Sequence, residues 1–591
     1  MMHFVYELPF GAQPRGDGIT RFRLWAPSLD RVALEIEGRQ GAITMEPEKT
    51  GWFVAQAPCG AGGRYRFRLP NGLAVPDPAS RQQAGDVHDW SVVVDPAAFA
   101  WRHDWRGRPW HEAVVYELHP GAMGGFDGIR SRLAALKELG ITAIELMPIA
   151  DFPGRHNWGY DGVLPYAPDA AYGTPEALKA LVDAAHGMDL MVILDVVYNH
   201  FGPDGNYLHA YAASFFRDDI STPWGAAIDF RRPEVRDFFI QNALYWLMEY
   251  RFDGLRFDAV HAISEPDFLD EMAATIRRIV EPGRHVHLIL EHEGNKASHL
   301  TAGKFDAQWT DDWHHCLHVM LTGEHEGYYE DFQDAARLLA RCMVEGFAYQ
   351  GEVSPHSGKP RGEPSAGLPT TAFVICLQNH DQIGNRAFGE RLSQLAHPEA
   401  LRAATALLLL SPFIPMLFMG EEWGTRTPFL FFTDHNADLA ELVRDGRRKE
   451  FSRFSSFADP GRRESIPDPN AAETFAASVP DPAEAGQPRH AAILRLHGEL
   501  LALRHRFVTP GIPGCVSEGA EVIGPKAVVG RWRLGNGALL TLAINLGDAP
   551  VPIGPLTGEM LYGTEERMAR VVPDGALPAC SAVAYLAEVL P

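Results

Sequence analysis

Four apolar runs in this chain each end in a carboxylate or its helpers. They are Val192-Ile-Leu-Asp195 with Asn199 and His200 close behind, Gly254-Leu-Arg-Phe-Asp258, Leu288-Ile-Leu-Glu291, and Val374-Ile-Cys-Leu-Gln-Asn-His-Asp381. One strand with a charged tip is ordinary; four are explained when the tips converge on one polar cleft. Several carboxylates in one cleft suit chemistry on a sugar. Residues two apart on a strand share a face, so Arg256 and Asp258 point the same way. An arginine beside a carboxylate favours the charged form, which keeps it ready as a nucleophile. Glu291 closes an unbroken apolar run and suits a proton donor to a departing glycosidic oxygen; Glu293, on the same face, competes for that role. Asp381, after His380, suits a third carboxylate that steadies an electron-poor sugar ring, with a helix N-cap as the alternative. His200 and His380, beside carboxylates at different tips, suit hydrogen bonds to sugar hydroxyls. His314, His315 and His318 look like a zinc set in isolation but lack the H-E-x-x-H pattern. No metal and no organic cofactor is expected.

The elements that must position these tips follow from periodicity. Residues 1 to about 100 alternate apolar and polar in short runs such as Thr20-Arg-Phe-Arg-Leu-Trp25 and Arg64-Tyr-Arg-Phe-Arg-Leu69, which predicts a small Ig-like β-sandwich. From Ala113, apolar strands alternate with amphipathic helices. Strands are expected at 114–118, 143–147, 190–196, 254–257, 286–290, 307–309, 372–377 and 416–419, with helices between them. Thr174 is the expected N-cap of a helix that starts at Pro175. Eight βα units predict a (β/α)₈ TIM barrel, and no Gly-rich phosphate loop favours a doubly wound sheet instead. Asp459 to Gln487 reads as an exposed excursion or linker. Strand patterns return from about residue 520. The expected domains are 1–100, a β-sandwich; 101–507, the barrel with insertions; and 508–591, an all-β domain.

The formal net charge of −23 argues against nucleic acid or an anionic membrane as partner, since both need a basic surface. The longest apolar run, Ala403 to Met419, is broken by Pro412 and Pro415, and reads as a buried helix entering a buried strand. Six scattered cysteines form neither a disulfide framework nor a CxxC pair. The N-terminus shows no basic region followed by an apolar one, so the cytoplasm is the expected location.

Together the four segments resemble the conserved regions of the α-amylase superfamily, glycoside hydrolase family 13: Asp195-Val-Val-Tyr-Asn-His200, Gly254-Leu-Arg-Phe-Asp-Ala-Val-His261, Glu291, and Asn379-His-Asp381. Phe22-Arg-Leu-Trp-Ala-Pro27 is similar to the domain that precedes the barrel in branching, debranching and trehalose-releasing members. Asn199-His-Phe-Gly-Pro-Asp-Gly-Asn-Tyr-Leu208, Trp309 to His318, Gln378 to Arg386, and Phe418 to Trp423 with Phe432 to His435 resemble the maltooligosyltrehalose trehalohydrolases of that family. The run Glu117-Leu-His-Pro-Gly-Ala-Met-Gly-Gly125 departs from the family's Gly-Thr-Phe-Thr-like text. The resemblance implies hydrolysis of the α-1,4 bond joining a maltooligosaccharide to a terminal trehalose. By position, Asp258 would be the nucleophile, Glu291 the acid/base and Asp381 the transition-state stabiliser. Arg256, His200, His380 and Tyr160 would line the subsite of the sugar whose bond is broken, with Asp195 and His261 from the same motifs. Asp311, Asp312, His314, His315, Gln382 and Asn385 are the candidates for gripping the trehalose end. The implied partner is maltooligosyltrehalose or another α-glucan. A debranching hydrolase, a branching transferase and a non-catalytic glucan-binding protein stay open as alternatives, and the oligomeric state is not set.

Overall fold

The structure, a computed structural model, describes residues 2–457, 459–565, 568 and 575–588. Eight parallel strands close into a barrel: β1 (Val115–Leu118), β2 (Ala143–Leu146), β3 (Met191–Val196), β4 (Gly254–Phe257), β5 (His287–Leu290), β6 (Ala307–Trp309), β7 (Phe373–Ile375) and β8 (Ile414–Phe418). Closure pairs Val115 with Met416 and Glu117 with Phe418. Both faces of such a strand are covered, which is why these runs are nearly continuous in apolar residues. The polar exceptions are Glu117, Glu145, Asp195, Arg256, His287 and Gln308, all buried. Register pairs Glu117 with Glu145 and Asp195 with Arg256. The expected strands are all present, and β8 starts two residues earlier than the reading because it includes Pro415.

The helices follow the expected βα rhythm. Pro175–His186 is capped by Thr174, whose side chain accepts from the Ala177 N–H. The apolar run at 403–419 is the end of the helix Pro398–Leu410 and then β8. No helix among the described residues is long and apolar enough to cross a membrane.

At the N-terminus, two antiparallel sheets face each other. One orders Gly11–Pro14, Ile19–Trp25, Trp52–Pro58 and Glu46–Pro47; the other centres on Ala33–Ile36 and Arg64–Arg68. Alternate residues of Ile19–Trp25 are buried, and Phe22 meets Tyr65 of the other sheet at 4.7 Å between ring centroids. This unit docks on the barrel through Phe10, stacked on Phe238, and through the buried Glu249, which accepts from Lys179 (3.0 Å) and Arg81 (3.5 Å). At the other end, a five-stranded antiparallel sheet orders Val516–Gly524, Ala527–Arg533, Leu539–Asn545, Ser581–Ala587 and Glu559–Gly563. Its Trp532 indole donates to the Met343 carbonyl at 3.1 Å.

The stretch from Asp459 to Gln487 is a strap rather than a linker. It carries the short helices Pro460–Glu464 and Ala472–Ala477, and Asn470 and Ser478 accept from the backbone N–H groups of His435 and Leu430. Its polarity reflects one wet face; the other is tied to the loop after β8.

Candidate active site

Active-site residues of such barrels stand at the C-terminal ends of the strands, and here one guanidinium organises them. Arg256, on β4, is fully buried and lies 4.1 Å over the Trp309 ring at the end of β6. Its Nη1 donates to Asp195 Oδ2 (2.6 Å) and Asp258 Oδ1 (3.0 Å), and its Nη2 donates to Glu291 Oε2 (2.7 Å). The tips of β3, β4 and β5 are therefore brought together by one side chain. The opposite charges hold the guanidinium well above its ordinary range, against the pull of burial.

Asn199 fixes the other oxygen of Asp258: its Nδ2 donates to Asp258 Oδ2 and to the Asp258 carbonyl, both at 2.9 Å. Ala259, at φ 41°, turns the chain so that its N–H donates to Glu291 Oε2 at 2.9 Å. Glu291 thus stands in an ion-paired, hydrogen-bonded setting, not in the apolar one its strand predicts. Glu293 is 76% exposed and lies 3.7 Å from His261, away from Arg256. His261 itself is exposed at the rim.

Asp381 is free of the helix-capping duty that was its alternative reading. Asn379 caps the turn His380–Gly384, accepting from Gln382 N–H at 3.0 Å. Asp381 Oδ1 instead accepts from Asn385 Nδ2 (3.2 Å) and lies 3.5 Å from His380 Nε2. Side-chain exposure rises from Asp258 (11%) through Glu291 (18%) to Asp381 (35%), so the three carboxylates line one cleft from floor to mouth.

Tyr160 closes the floor. Its hydroxyl donates to Asp195 Oδ2 at 2.8 Å and lies 2.9 Å from His380 Nε2, with its ring stacked on that imidazole. Burial, resisted by Arg256, pushes Asp195 up to about 7. His200 links Asn199 Oδ1 to the Tyr160 carbonyl through its two ring nitrogens. Burial lowers its basicity against the pull of Asp258 and Asp161.

The candidates for the trehalose end divide. Asp311 is half-buried; burial, then repulsion from Glu291 and Asp381, pushes it up to about 8. It faces the cleft. Gln382 accepts from Tyr328 OH at 3.3 Å, and Asn385 touches Asp381 as above. His315 packs among Tyr328, Tyr329 and Phe332, and burial holds it neutral, well below the imidazole range. Asp312 and His314 turn the other way. Asp312 is consumed by Arg361 (2.6 Å), Asn295 Nδ2 (2.9 Å) and the N–H groups of Ala348 and Tyr349. His314 is fully buried on its helix Asp311–Thr322. The reason is helical geometry: neighbours at i and i+1 point about 100° apart, so one stretch cannot aim all its polar residues into one cleft. His314 and His315 meet ring to ring at 4.2 Å, while His318 pairs with Glu324 at 2.8 Å and stacks on Tyr329. Among the described residues no group of three or more His, Cys, Asp or Glu is arranged to hold a metal.

Three residues at the site escaped the sequence reading. Glu117 bonds His380 across the barrel closure. Trp224 tops the hairpin Phe216–Ile228, 46% exposed, and stacks on His200 at 4.6 Å. Tyr328, 41% exposed, stands beside Gln382. A charge inside a doubly buried strand was the available signal for Glu117; the two exposed aromatics had none beyond their size.

An α-amylase catalytic-domain family model matches residues 96–220, and a domain of unknown function (DUF3459) matches 516–584. The chain is 43% identical over 547 residues to a malto-oligosyltrehalose trehalohydrolase of Deinococcus radiodurans, covering 89% of each protein. It is 38% identical over 574 residues to one from a Rhizobium species, covering 93% of this chain and 94% of the relative. A crystal structure titled a putative α-amylase from Salmonella typhimurium superposes with a TM-score of 0.93 at 43% identity, covering 99% of this chain and 100% of that one.

Proposed function

The chain belongs to the malto-oligosyltrehalose trehalohydrolases of the α-amylase superfamily, and on that footing we propose that its cleft hydrolyses the α-1,4-glucosidic bond next to the terminal trehalose of maltooligosyltrehalose, releasing trehalose. The observation that carries the chemistry is the bridge Asp258–Arg256–Glu291. One rigid fork holds two carboxylates side by side, which suits a nucleophile and an acid/base acting on the same carbon.

In this reading Asp258 attacks the anomeric carbon while Glu291 gives a proton to the leaving oxygen. A glycosyl–Asp258 ester forms as the trehalose departs. Glu291, now a carboxylate, takes a proton from water, and that water releases the sugar with its configuration retained. Asn199 and Arg256 each hold one oxygen of Asp258, which fixes the attacking direction. Asp381, on the open side, stabilises the positive charge that develops on the ring. His200, His380, Tyr160 and Asp195 serve the sugar whose bond breaks; Asp311, His315, Gln382 and Asn385 serve the substrate beyond it. Asp312 and His314 act as supports for that wall, and His261 meets substrate at the rim.

A cavity of about 450 Å³ between helix 398–410 and helix 488–503 is separate from this cleft, whereas one of about 570 Å³ opens from Asn385 past Tyr328, Arg386 and Phe454 and gives the substrate room to continue. We divide the chain near residues 100 and 507, in keeping with the sheets on either side of the barrel. We place it in the cytoplasm, where its six unpaired cysteines suit a reducing medium.

Product analysis tests the reading. Incubation with maltooligosyltrehalose is expected to release free trehalose, and amylopectin to release no linear chains. Release of linear chains would assign debranching instead, transfer to a new branch would assign branching, and saturable binding without product would leave only a glucan binder.

A further inference from the structure

Glu117 lies on β1 at 1% exposure, on the opposite side of the barrel from β4 and β5. Its carboxylate takes two hydrogen bonds from one residue: the His380 backbone N–H (3.2 Å to Oε2) and His380 Nδ1–H (to Oε1). That grip leaves the other ring nitrogen facing Tyr160 Oη at 2.9 Å and Asp381 Oδ1 at 3.5 Å. Tyr160 donates in turn to Asp195, and Asp195 accepts from Arg256. An unbroken chain of hydrogen bonds thus runs from β1 to the guanidinium that holds Asp258 and Glu291.

We propose that Glu117 is a positioning residue that fixes the orientation of His380 and keeps both of its ring protons in place, so that Nε2–H is presented to Tyr160, Asp381 and a bound sugar hydroxyl. This rests on the hydrolase reading above. The groups facing the imidazole are Glu117 on β1, His119 after it, Glu145 on β2, Trp158, Tyr160, Arg256 on β4, Trp309 on β6 and its neighbour Asp381. Burial alone would strip the ring of its second proton. The carboxylates of Asp381 and Glu117 outweigh burial and the repulsion of Arg256, and raise it to about 9. Burial, with Glu117 and Asp195 near it, holds Glu145 well above the carboxyl range. Glu117 is the carboxylate bonded to Nδ1.

The test compares wild type with Glu117→Gln and Glu117→Asp. His380 is followed by NMR of ¹³C-labelled histidine, assigned by the signal missing from H380Q, and kcat is measured across pH on maltooligosyltrehalose. In E117Q the His380 titration is expected to move about 1–2 pH units lower, with kcat reduced at the pH optimum. KM is expected to change less than kcat, and E117D to restore part of the shift. A His380 titration that stays in place in E117Q would overturn the proposal, as would a wild-type His380 that titrates near an ordinary imidazole; the latter measurement decides the matter even where E117Q does not fold. A wild-type protein that releases no trehalose while His380 still shifts in E117Q would sink the hydrolase reading and leave Glu117 its role.

Discussion

The two flanks of the cleft treat charge in opposite ways. On the flank of β3, β4 and β5, acidic groups are packed around one cation: Asp195, Asp258 and Glu291 share Arg256, and Asn199 and Ala259 supply the remaining donors. On the flank of residues 309–332, charge is suppressed. Asp311 is pushed up to about 8, His314 and His315 are held far below the imidazole range, and Tyr328, Tyr329 and Phe332 surround His315. A displacement at carbon needs fixed charges aimed at the reacting atoms. A neutral sugar is better met by uncharged donors, acceptors and ring faces, whose desolvation costs less.

The comparison breaks most visibly at Asp258. Replacing it with Asn keeps the shape and the Asn199 contact on one oxygen but removes the nucleophile. Turnover of maltooligosyltrehalose is expected to fall by about 10⁴-fold or more, while calorimetric binding of the substrate stays within about threefold of wild type, because one bond in a broad cleft has changed. Near-normal hydrolysis by D258N would remove the double-displacement reading.

Arg256 tests whether the first flank depends on its shared cation. Arg256→Met keeps the bulk over Trp309 but leaves three carboxylates without their counter-charge. Breaking a buried ion pair from one side costs roughly 3–5 kcal/mol, so a lower denaturation midpoint and a kcat loss of about 10²–10³-fold are expected together. A variant as stable as wild type would mean that the carboxylates do not need the arginine to coexist.

Much of the first flank is legible in the chain because its logic is local. A strand buried on both faces admits few polar residues, so Arg256 and Asp258 two apart, or Glu291 after Leu288-Ile-Leu290, announce themselves. The second flank is legible only in part. Asp311, Asp312, His314 and His315 look equivalent as text, and helix rotation alone decides that Asp311 meets the cleft while Asp312 meets Arg361. Glu117 was hidden because its partner lies 263 residues away and the two meet only when β1 joins β8. Pro415 masked the start of β8, since a proline lacks the ladder N–H; in the fold it stands opposite Ile375 and β8 pairs around it. The strap at 459–487 read as an exposed excursion or linker because its contacts to residues 430–435 run through two single polar side chains, Asn470 and Ser478, which look like ordinary loop residues in the sequence.

Trp224 sharpens the comparison at the mouth. Its exposed indole, stacked on His200, offers a free face above the charged flank. Covering an indole face with the C–H face of a sugar removes apolar area worth on the order of 1 kcal/mol at roughly 25 cal/mol per Å². Trp224→Ala is therefore expected to raise KM by about 2–10-fold with little change in kcat, measured by initial rates of trehalose release. A kcat loss larger than the KM change would place the indole in the chemistry instead of in binding.

The smallest effect belongs to Asp311, where suppressed charge on the second flank has a thermodynamic signature. Its carboxyl holds a proton up to about 8 in the folded protein, whereas in the unfolded chain it loses that proton near the ordinary value of 3.8. Between those limits the unfolded state binds fewer protons, so this group lowers stability as pH rises from about 4 to about 8, and the loss is complete above that. Asp311→Asn removes the ionisation and keeps the size. The variant is expected to match wild type in melting temperature near pH 4 and to exceed it by about 2–4 °C near pH 9, with the gap opening across the interval between. A gap that is constant with pH would mean that Asp311 is solvated or paired in the folded state, and that this flank suppresses charge less than its neighbours Glu291 and Asp381 require.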